Sequence, residues 1–399
     1  MSYDLAIVGG GLGGAALGVV MARAGARVLV LEREVRFRDR VRGEGIFPWG
    51  CEEARRLGLL DALRTTCGRE LPGWTIHLPG GQSMHRDLAA TLPSGLGMLN
   101  FHHEAMQEAL IALAAEAGAE VRRGVEVTGV TVGACPSVTY RTTQGDETSA
   151  ARLVVGADGR ASRVRGWGGF EELRAPDFLV VASTLHEGVA CDPDSIHVVP
   201  NVVQGRAMLV YPLDGERVRT YLIHRSEEAG PRFSGARSAP AFLAACQGIG
   251  GRQGWYDRAQ QIGLLASFEG ASSWVEHPYR NGVVLIGDAA GASDPSFGSG
   301  LALTLRDVRV LRDHLLGDAD WPRAASSYAA EHNAYFAALK RVIDWRSYMG
   351  FARGPQADAD RVRAQQAWRA DPARVPDLIG CGPDVPSDET ARRRYFALD

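Results

Sequence analysis

The first 32 residues consist of two short apolar runs separated by a glycine-rich break and a helical pattern. Residues 3–8 and 27–32 are apolar enough for buried parallel strands. Residues 14–24 have helical spacing and end at Gly25, a residue that commonly follows a helix. A strand, a helix and a second strand within about 30 residues predict a βαβ unit.

The rest of the chain contains further apolar strands and amphipathic helices. Buried or short strands are expected at residues 71–100, 120–132, 152–157 and 282–286. Helical periodicity covers residues 54–64, 104–117, 240–248, 257–262, 300–316 and 323–353. A tail rich in proline and arginine follows Gly354. Strands alternating with helices predict an α/β framework.

The pattern changes between residues 177 and 226. Hydrophobic and polar residues alternate there in runs at 177–183, 195–200, 206–212 and 217–224. Turns such as Asp214-Gly215 separate the runs. Because strict alternation is typical of strands with two different faces, we expect an antiparallel sheet in this segment.

These patterns predict a Rossmann-like α/β fold that is interrupted by a β-rich insertion. We assign the nucleotide-binding domain to residues 1–70, 100–176 and 277–322. The β-rich substrate domain is assigned to residues 71–99 and 177–276, and residues 323–399 form a C-terminal helical region and tail. That last region contains an aromatic run, Tyr335, Phe336, Trp345, Tyr348 and Phe351. The run fits core packing, and a partner or membrane surface is the alternative.

Composition excludes several classes of function. The chain has 399 residues, of which 45% are hydrophobic, and a net charge of -3, so nothing indicates a nucleic-acid groove. No signal peptide or membrane span is visible, and the six cysteines form no C-x-x-C pair, which fits a cytoplasmic protein without a disulfide framework or metal site. Lys340 is the one lysine of the sequence.

The glycine-rich break satisfies G-x-G-x-x-G between a strand and a helix. Gly9 allows the tight turn, Gly11 lets a pyrophosphate approach the backbone, and Gly14 lets the helix and strand pack closely. The amides at Leu12 and Gly13 belong to the helix N-terminus, which favours anions. A glycine-rich turn without a ligand is the alternative, and the motif alone does not separate FAD from NAD.

Glu32 ends the second strand of the βαβ unit, with Arg33 beside it. A carboxylate at this position can accept hydrogen bonds from ribose hydroxyls. The pair therefore extends the predicted dinucleotide site.

Two further motifs decide between the dinucleotides. The first is Gly156-Ala157-Asp158-Gly159, followed by Ser162 and Arg165; the second is Gly287-Asp288-Ala289-Ala290, followed by Pro295, Gly298 and Gly300. In their order and spacing, residues 3–315 resemble the FAD-dependent aromatic hydroxylases, the class A flavoprotein monooxygenases that include para-hydroxybenzoate hydroxylase. The resemblance implies FAD as the cofactor.

The resemblance also implies roles for individual residues. Glu32 and Arg33 would bind the adenosine ribose, and the backbone of Val127 would contact the adenine. Asp158 and Gly159 would lie near the pyrophosphate, in a turn that also serves NAD(P)H binding.

Asp288 and Arg42 would hold other parts of FAD in the same comparison. Asp288 would bind the ribityl chain, and its alternative role is a helix cap. Arg42 would lie near the flavin and its phosphates, and its alternative is a surface arginine among its arginine neighbours.

Two positions depart from the family pattern. His103 stands where the family usually has Arg or Gln at the start of a helix, and Gln107 can take over the flavin contact one turn later. Ala302 replaces the family's Asn after the glycine turn, so a backbone contact is retained there and a side-chain contact is lost.

The segment from Pro295 to Leu301 precedes and begins a long predicted helix. Backbone amides at Gly298, Ser299, Gly300 and Leu301, together with the helix dipole, can stabilise negative charge at the N1–C2=O edge of a reduced flavin. In the family, the adjacent proline lines the space where oxygen meets the flavin.

The implied reaction is that of a single-component FAD monooxygenase. NAD(P)H would reduce the flavin, O2 would add to it, and a flavin C4a-hydroperoxide would hydroxylate an aromatic or polyketide-like small molecule. Tyr211 and His224 are candidate acid–base residues on the predicted sheet, and a structural role is the alternative for each. Strand alternation places Tyr221 and His224 on opposite faces, so at most one of them faces the flavin.

Other chemistries on the same fold remain as alternatives. They are a flavin dehydrogenase, oxidase or reductase, a flavin halogenase, and a non-catalytic flavin-binding protein. Resemblance to halogenases would require an active-site lysine, whereas Lys340 lies in the C-terminal helical region. The expected partners are the small-molecule substrate and O2, with no nucleic acid and no membrane.

Overall fold

A computed structural model describes residues 3–176, 179–214, 216–226, 232–250 and 254–399 of the chain. Asp177 and Phe178, at the start of a predicted strand, and Gly215, in a predicted turn, lie outside these described residues.

The strands of the described residues, in chain order, are β1 (Tyr3–Val8), β2 (Val28–Glu32), β3 (Gly45–Ile46), β4 (Gly68–Leu71), β5 (Gly73–His77), β6 (Ser83–Asp87), β7 (Met98–Phe101), β8 (Glu120–Arg123), β9 (Glu126–Thr131), β10 (Ser137–Thr142), β11 (Gly145–Gly156), β12 (Leu173–Arg174), β13 (Leu179–Glu187), β14 (Ser195–Asn201), β15 (Arg206–Asp214), β16 (Arg217–Arg225), β17 (Gln260–Gln261), β18 (Ala266–Glu269), β19 (Ser273–Trp274), β20 (Tyr279–Arg280), β21 (Val283–Leu285) and β22 (Gly291–Ala292).

The α-helices are α1 (Leu12–Arg23), α2 (Pro48–Arg56), α3 (Leu60–Thr66), α4 (Leu88–Thr91), α5 (His103–Glu116), α6 (Arg163–Trp167), α7 (Ala239–Gln247), α8 (Gly300–Gly317), α9 (Trp321–Phe351), α10 (Pro355–Ala370), α11 (Leu378–Cys381) and α12 (Glu389–Tyr395). Two short 3-10 turns, Gly287–Ala289 and Pro295–Phe297, precede α8.

The first sheet has the strand order β20-β21-β11-β1-β2-β8, and along this order every pair is parallel except β20 with β21. Strand β10 also pairs antiparallel with β11 and with β9. Ile7 of β1 pairs with Val30 on one side and with Val155 on the other. Helices α5 and α8 pack against α1, which is buried along almost its whole length. Gly25, with φ of +88°, ends α1. The apolar sequence of α1 therefore reflects a helix with no solvent face.

The second large sheet has the order β17-β13-β16-β15-β14-β5-β6, and β18 also pairs with β13. All of its pairs are antiparallel except β14 with β5. Its side chains alternate between two cores, because Val181 and Leu209 pack toward the first domain, whereas Ala182 and Met208 pack toward α7. The expected α/β fold with an antiparallel insertion is confirmed.

Two details differ from the sequence-based expectations. The helix predicted at residues 54–64 is divided into α2 and α3 at Gly58, which has φ of +66°. The helix predicted at residues 257–262 is wrong, because Gln260 and Gln261 form the edge strand β17. Pairing with β13 satisfies the backbone of a segment too short for a stable helix.

The tail after Gly354 is largely helical, since α10, α11 and α12 lie within it. Tyr395 of α12 stacks on Trp345 of α9, with ring centroids 5.9 Å apart. Trp345 and Phe336 of the aromatic run are both buried. Core packing is therefore the observed role of these two side chains.

Candidate functional site

The glycine loop between β1 and α1 allows a ligand to approach at one position and excludes side chains at two others. A Cβ atom at Gly9 would lie 2.4 Å from the Ala157 carbonyl oxygen, and one at Gly14 would lie 1.9 Å from the Gly9 carbonyl oxygen. Among the described residues not adjacent in the chain, a Cβ atom at Gly11 would lie within 4 Å of one atom, Gln107 Nε2, at 3.4 Å. Gly9 and Gly14 are thus packing positions, whereas Gly11 leaves the backbone open.

Glu32 fixes this loop through its carboxylate. The Gly10 amide donates to Glu32 Oε2 at 2.7 Å, and the Glu34 amide donates to Oε1 at 2.8 Å. The Glu32 side chain is buried, whereas Arg33 is exposed and lies 3.5 Å from the Glu34 carboxylate. Glu32, the predicted ligand of the adenosine ribose, therefore lies beside the glycine loop.

Asp288 presents a carboxylate that no group of the described residues binds. Its backbone lies in the 3-10 turn after β21, and Asp288 Oδ1 is 3.9 Å from the Cβ position of Gly300. No N–H or O–H group in the described part of the chain donates to this carboxylate, so Asp288 caps no helix there. Burial raises the pKa of Asp288, and the nearby Arg42 opposes that shift. An open acceptor of this kind fits a ribityl diol.

Arg42 and Gln107 are further polar groups without partners in the described ranges. The Arg42 guanidinium is exposed and forms no salt bridge with any described carboxylate. The Gln107 amide forms no side-chain hydrogen bond there and lies beside Gly11. A guanidinium near Asp288 and an amide beside the glycine loop are suitable donors for phosphate oxygens.

His103 contacts the loop of residues 39–44, which is called the Arg42 segment below. Its Nδ1 atom donates to the Gly43 carbonyl at 2.7 Å, which leaves Nε2 as the acceptor of a neutral imidazole. Burial lowers the pKa of His103 to about 4, and Arg42 adds to that effect. Ala302 packs on α2, because its Cβ atom is 2.3 Å from the Cβ position of Gly50. Its methyl group offers no polar contact, as expected.

The Asp158-Gly159 turn lies beside the glycine loop, but the carboxylate is already in use. A Cβ atom at Gly9 would be 3.0 Å from the Asp158 Cα atom. Ser162 donates from Oγ to Asp158 Oδ1 at 2.6 Å, and the Arg163 amide donates to Oδ2 at 2.7 Å. Asp158 thus caps α6. Gly159, with φ of +78°, is half-buried and contributes only backbone to the turn.

Val127 lies on β9, where it pairs with Tyr140 of β10. The neighbouring Val125 amide donates to the Glu32 carbonyl at 3.2 Å. The backbone of this segment therefore runs close to the end of β2, although the Val127 side chain itself is buried.

The Pro295–Phe297 turn connects the Gly-Asp motif to α8. Asp294 caps the turn by accepting the Ser296 amide at 2.9 Å, and Gly298 follows with φ of +65°. Burial raises the pKa of Asp294 to about 6. The first amides of α8, which begins at Gly300, have no intrahelical acceptors and point out of the helix start. Asp294 was not predicted, although an Asp immediately before a proline turn is a recognisable cap.

Tyr211 brings the β-rich sheet onto this turn. Its Oη atom is 3.4 Å from the Cβ position of Gly298, and its ring meets Tyr221 edge-on at 5.5 Å. The Tyr221 hydroxyl donates to the Arg42 carbonyl at 3.0 Å. Burial raises the pKa of both tyrosines, so both phenols are protonated at neutral pH.

His224 lies on the opposite face of the sheet and is not brought together with Tyr211 and Pro295. Its Nδ1 atom donates to the Arg225 carbonyl at 3.0 Å, and its ring meets Phe233 at 6.2 Å. Strand alternation separates His224 from Tyr221, as the sequence predicted. Of the two acid–base candidates, Tyr211 therefore faces the Pro295 turn, whereas His224 faces away from it.

Comparisons with known proteins identify the family of the chain. The sequence profile of the FAD binding domain family matches residues 2–329. The chain belongs to the FAD binding domain family. This membership confirms the predicted relationship to FAD-dependent oxidoreductases, and it confirms FAD as the cofactor of this flavoprotein.

Squalene monooxygenase from Rattus norvegicus is 25% identical to the flavoprotein over 363 residues, which are 85% of this chain and 59% of that relative. The flavoprotein spans 54–63% of the length of four curated squalene monooxygenases and epoxidases that it matches.

Solved structures show the same fold at low sequence identity. The p-nitrophenol 4-monooxygenase of Pseudomonas putida DLL-E4 superimposes with a TM-score of 0.77 and 20% identity, covering 90% of this chain and 92% of that one. A flavin-dependent brominase superimposes with a TM-score of 0.78 and 16% identity, covering 100% and 98% of the two chains. At these identities the likeness extends to the fold alone.

A buried ion pair that was not predicted joins the sheet of the flavoprotein to the Arg42 segment. Arg219 of β16 is fully buried and donates from Nε to Glu44 Oε2 at 2.6 Å and from Nη2 to Asp39 Oδ2 at 2.9 Å. Its Nη1 atom has no partner among the described residues. Arg219 and Glu44 are separated by 175 positions in the sequence, so no local pattern could predict this pair.

A second unpredicted network supports Asp288 from behind. The Gly287 amide donates to Asp307 Oδ2 at 2.7 Å, and Asp307 Oδ1 accepts the Tyr335 hydroxyl at 2.5 Å. His332 Nδ1 lies 3.1 Å from the same Oδ1 atom. Asp307 and His332 are fully buried, so α8 and α9 together hold the backbone that carries Asp288.

Two features are absent from the described ranges. They contain no group of three or more His, Cys, Asp or Glu side chains that can hold a metal ion. None of the described helices is both long and apolar enough to cross a bilayer.

Proposed function

We propose that the protein is a single-component FAD-dependent monooxygenase that uses NAD(P)H and O2 to hydroxylate an aromatic or polyketide-like small molecule. The proposal rests on three features: the open Gly11 backbone, the Asp288 carboxylate, to which no described residue donates, and the Pro295 turn beneath Tyr211. Bound FAD would supply the redox chemistry, accepting a hydride from NAD(P)H and activating O2.

The cofactor-binding groups would have separate tasks. The amides at the start of α1 and the Arg42 guanidinium would bind the phosphates, and Glu32 would accept hydroxyls of the adenosine ribose. Asp288 would accept ribityl hydroxyls because its carboxylate has free lone pairs and lies next to the start of α8. Gln107 and His103 would be the remaining side chains that contact FAD.

The turn from Pro295 to Gly300 would face the reacting end of the cofactor. Amides at the start of α8, together with the positive end of the helix dipole, favour negative charge at this place. The apolar face of the β-rich sheet covers the turn and would exclude water from the reacting atoms.

Tyr211 is the acid–base candidate that faces the turn. Because its pKa is raised by burial, the phenol would hold its proton and donate a hydrogen bond to a substrate oxygen. We expect Tyr211→Phe to lower kcat by about tenfold or more while FAD content is unchanged. Tyr279→Phe, on an edge strand of the first sheet, is the matched control. Wild-type kcat in Tyr211→Phe would remove Tyr211 from the reaction.

The deciding experiment supplies ¹⁸O2 to the FAD-loaded enzyme with NADH or NADPH and a panel of phenols and polycyclic aromatics. Labelled oxygen in a product supports the proposal. A product oxidised without label would favour a dehydrogenase, oxidase or reductase instead, and no reaction with either nucleotide would favour a non-catalytic flavin-binding protein.

Halogenation is less well supported. Lys340, the one lysine, pairs with Asp344 on α9 at 2.7 Å and lies over the Trp274 ring, so its ammonium group is already engaged. Adding bromide or chloride to the labelled-oxygen assay would test it, because a halogenase would form a halogenated product.

A further inference from the structure

Asp294 connects the turn before α8 to the loop between β18 and β19, residues 270–272. Its Oδ1 atom accepts the Ser296 amide at 2.9 Å, and its own amide donates to Ser272 Oγ at 3.0 Å. The same Oδ1 atom lies 3.2 Å from the Cβ position of Gly270. Strand β13 packs against the Pro295–Phe297 turn from the β-rich sheet. Asp294 therefore fixes where the turn lies relative to that sheet.

A second Asp-Pro turn in the chain shows that such a cap does not require burial. Asp371 precedes Pro372 and accepts the Ala373 amide at 3.2 Å, in the same type of 3-10 turn. Its side chain is 43% exposed, and a hydrogen bond from Arg394 lowers its pKa. Asp294, by contrast, is only 8% exposed. Because burying a carboxylate is costly, the burial of Asp294 indicates a role beyond capping.

Burial dominates the titration of Asp294 and raises its pKa to about 6. Charged side chains act on it more weakly: Arg160, in the turn after β11, lowers the pKa, and Asp344 of α9 raises it. Arg160 donates a hydrogen bond to the Ala271 carbonyl, and Asp344 is paired with Lys340 at 2.7 Å. Asp294 is therefore ionised at neutral pH and takes up a proton as the pH falls through about 6.

The charge of Asp294 decides how strongly the turn is held. A hydrogen bond to an ionised carboxylate is roughly twice as strong as one between neutral groups. Protonation of Asp294 would therefore weaken its bond to the Ser296 amide. A turn that is held less firmly has to be ordered when the cofactor binds, and this ordering lowers the affinity for FAD.

We propose that Asp294 is a positioning residue, which holds the Pro295–Phe297 turn in place for the flavin and, through its buried carboxylate, makes that hold depend on pH. The inference rests on the function proposed above, in which this turn faces the reacting end of FAD. Asp294 acts through the Ser296 amide and the start of α8, and it needs no contact with the substrate.

Two variants separate the charge of Asp294 from its hydrogen-bond acceptor. Asp294→Asn keeps an oxygen that can accept the Ser296 amide but carries no charge at any pH, whereas Asp294→Ala has no acceptor. The dissociation constant of FAD is measured from the fluorescence of flavin released when each holoenzyme is diluted, from about pH 8 to about pH 5. Thermal melting checks that each variant is folded.

The expected result is a difference between wild type and Asp294→Asn that disappears in acid. At about pH 8, FAD should bind about threefold more weakly to Asp294→Asn and about tenfold more weakly to Asp294→Ala than to wild type. At about pH 5, wild type and Asp294→Asn should agree within about twofold, because both acceptors are then neutral. Asp288, whose pKa is raised by burial, is present in all three proteins, so its titration cancels in the ratio.

Asp371→Asn is the matched control, because it makes the same change in the Asp-Pro turn at the surface. It should leave FAD binding at the wild-type value throughout the pH range. A ratio of wild-type to Asp294→Asn dissociation constants that does not change with pH would overturn the proposal, and so would an equal effect of Asp371→Asn. Equal binding by Asp294→Asn and Asp294→Ala would contradict the role of the Ser296 hydrogen bond. If Asp294→Ala does not fold, the comparison of Asp294→Asn with wild type decides alone.

The two proposals fail in distinguishable ways, because the pH series requires only bound FAD. If wild type and Asp294→Asn converge in acid but no substrate yields labelled oxygen from ¹⁸O2, the monooxygenase proposal fails and the assignment of Asp294 stands. If labelled product forms but the ratio does not change with pH, the assignment of Asp294 fails and the monooxygenase proposal stands.

Discussion

Replacing Gly11 or Gly14 by Ala should separate cofactor binding from folding within a single loop. At Gly14 the new Cβ would be 1.9 Å from the Gly9 carbonyl oxygen, about 1.5 Å inside normal contact. Strand β1 and helix α1 would have to move apart, and we expect the free energy of unfolding to fall by at least about 3 kcal/mol.

At Gly11 the new Cβ would have a normal 3.4 Å contact with Gln107 Nε2, and the backbone angles of -69° and -167° suit alanine. Lower chain entropy in the unfolded state stabilises the variant, and a weaker helix cap destabilises it. The free energy of unfolding should therefore stay within about 1 kcal/mol of wild type. The methyl group would still occupy the place of the pyrophosphate and weaken FAD binding by about 10- to 100-fold.

The assays are urea unfolding of the apoprotein, followed by fluorescence titration with FAD. The expected pattern is a folded Gly11→Ala protein with poor FAD binding and a destabilised Gly14→Ala protein. Wild-type FAD affinity in Gly11→Ala would refute the placement of the pyrophosphate, and wild-type stability in Gly14→Ala would refute the packing argument.

Two further predictions concern buried polar groups. Asp307→Asn should lower the free energy of unfolding by about 2 kcal/mol and reduce FAD retention, because Asn cannot accept from all three neighbours of the carboxylate. Urea unfolding and flavin content measure these two effects. Wild-type values of both would contradict the prediction. Burial lowers the pKa of His103 and of His186 to about 4. The unfolded chain therefore binds protons first, and stability should fall as pH drops from about 6.5 to about 4. Urea midpoints across this range test the trend, which His186→Gln should weaken; a flat profile would contradict it.

Local sequence patterns predicted the parts of the fold that depend on neighbouring residues. The apolar run before Gly9 was predicted as a buried strand, which is β1 in the structure. Gly58 is a residue type that commonly ends a helix, although our prediction placed one helix across it. At residues 257–262 the local pattern was misleading, because pairing with β13 outweighed a weak helical preference.

The sequence alone determined the α/β class, the glycine loop and the Gly-Asp motif, because each of these is a contiguous pattern whose chemistry requires particular residues at short spacing. The tertiary structure decided which distant side chains meet. It placed Tyr211 over the Pro295 turn and His224 on the opposite face, and it paired Arg219 with Glu44. Such contacts depend on how two sheets pack across more than 100 residues of chain, which no local periodicity encodes.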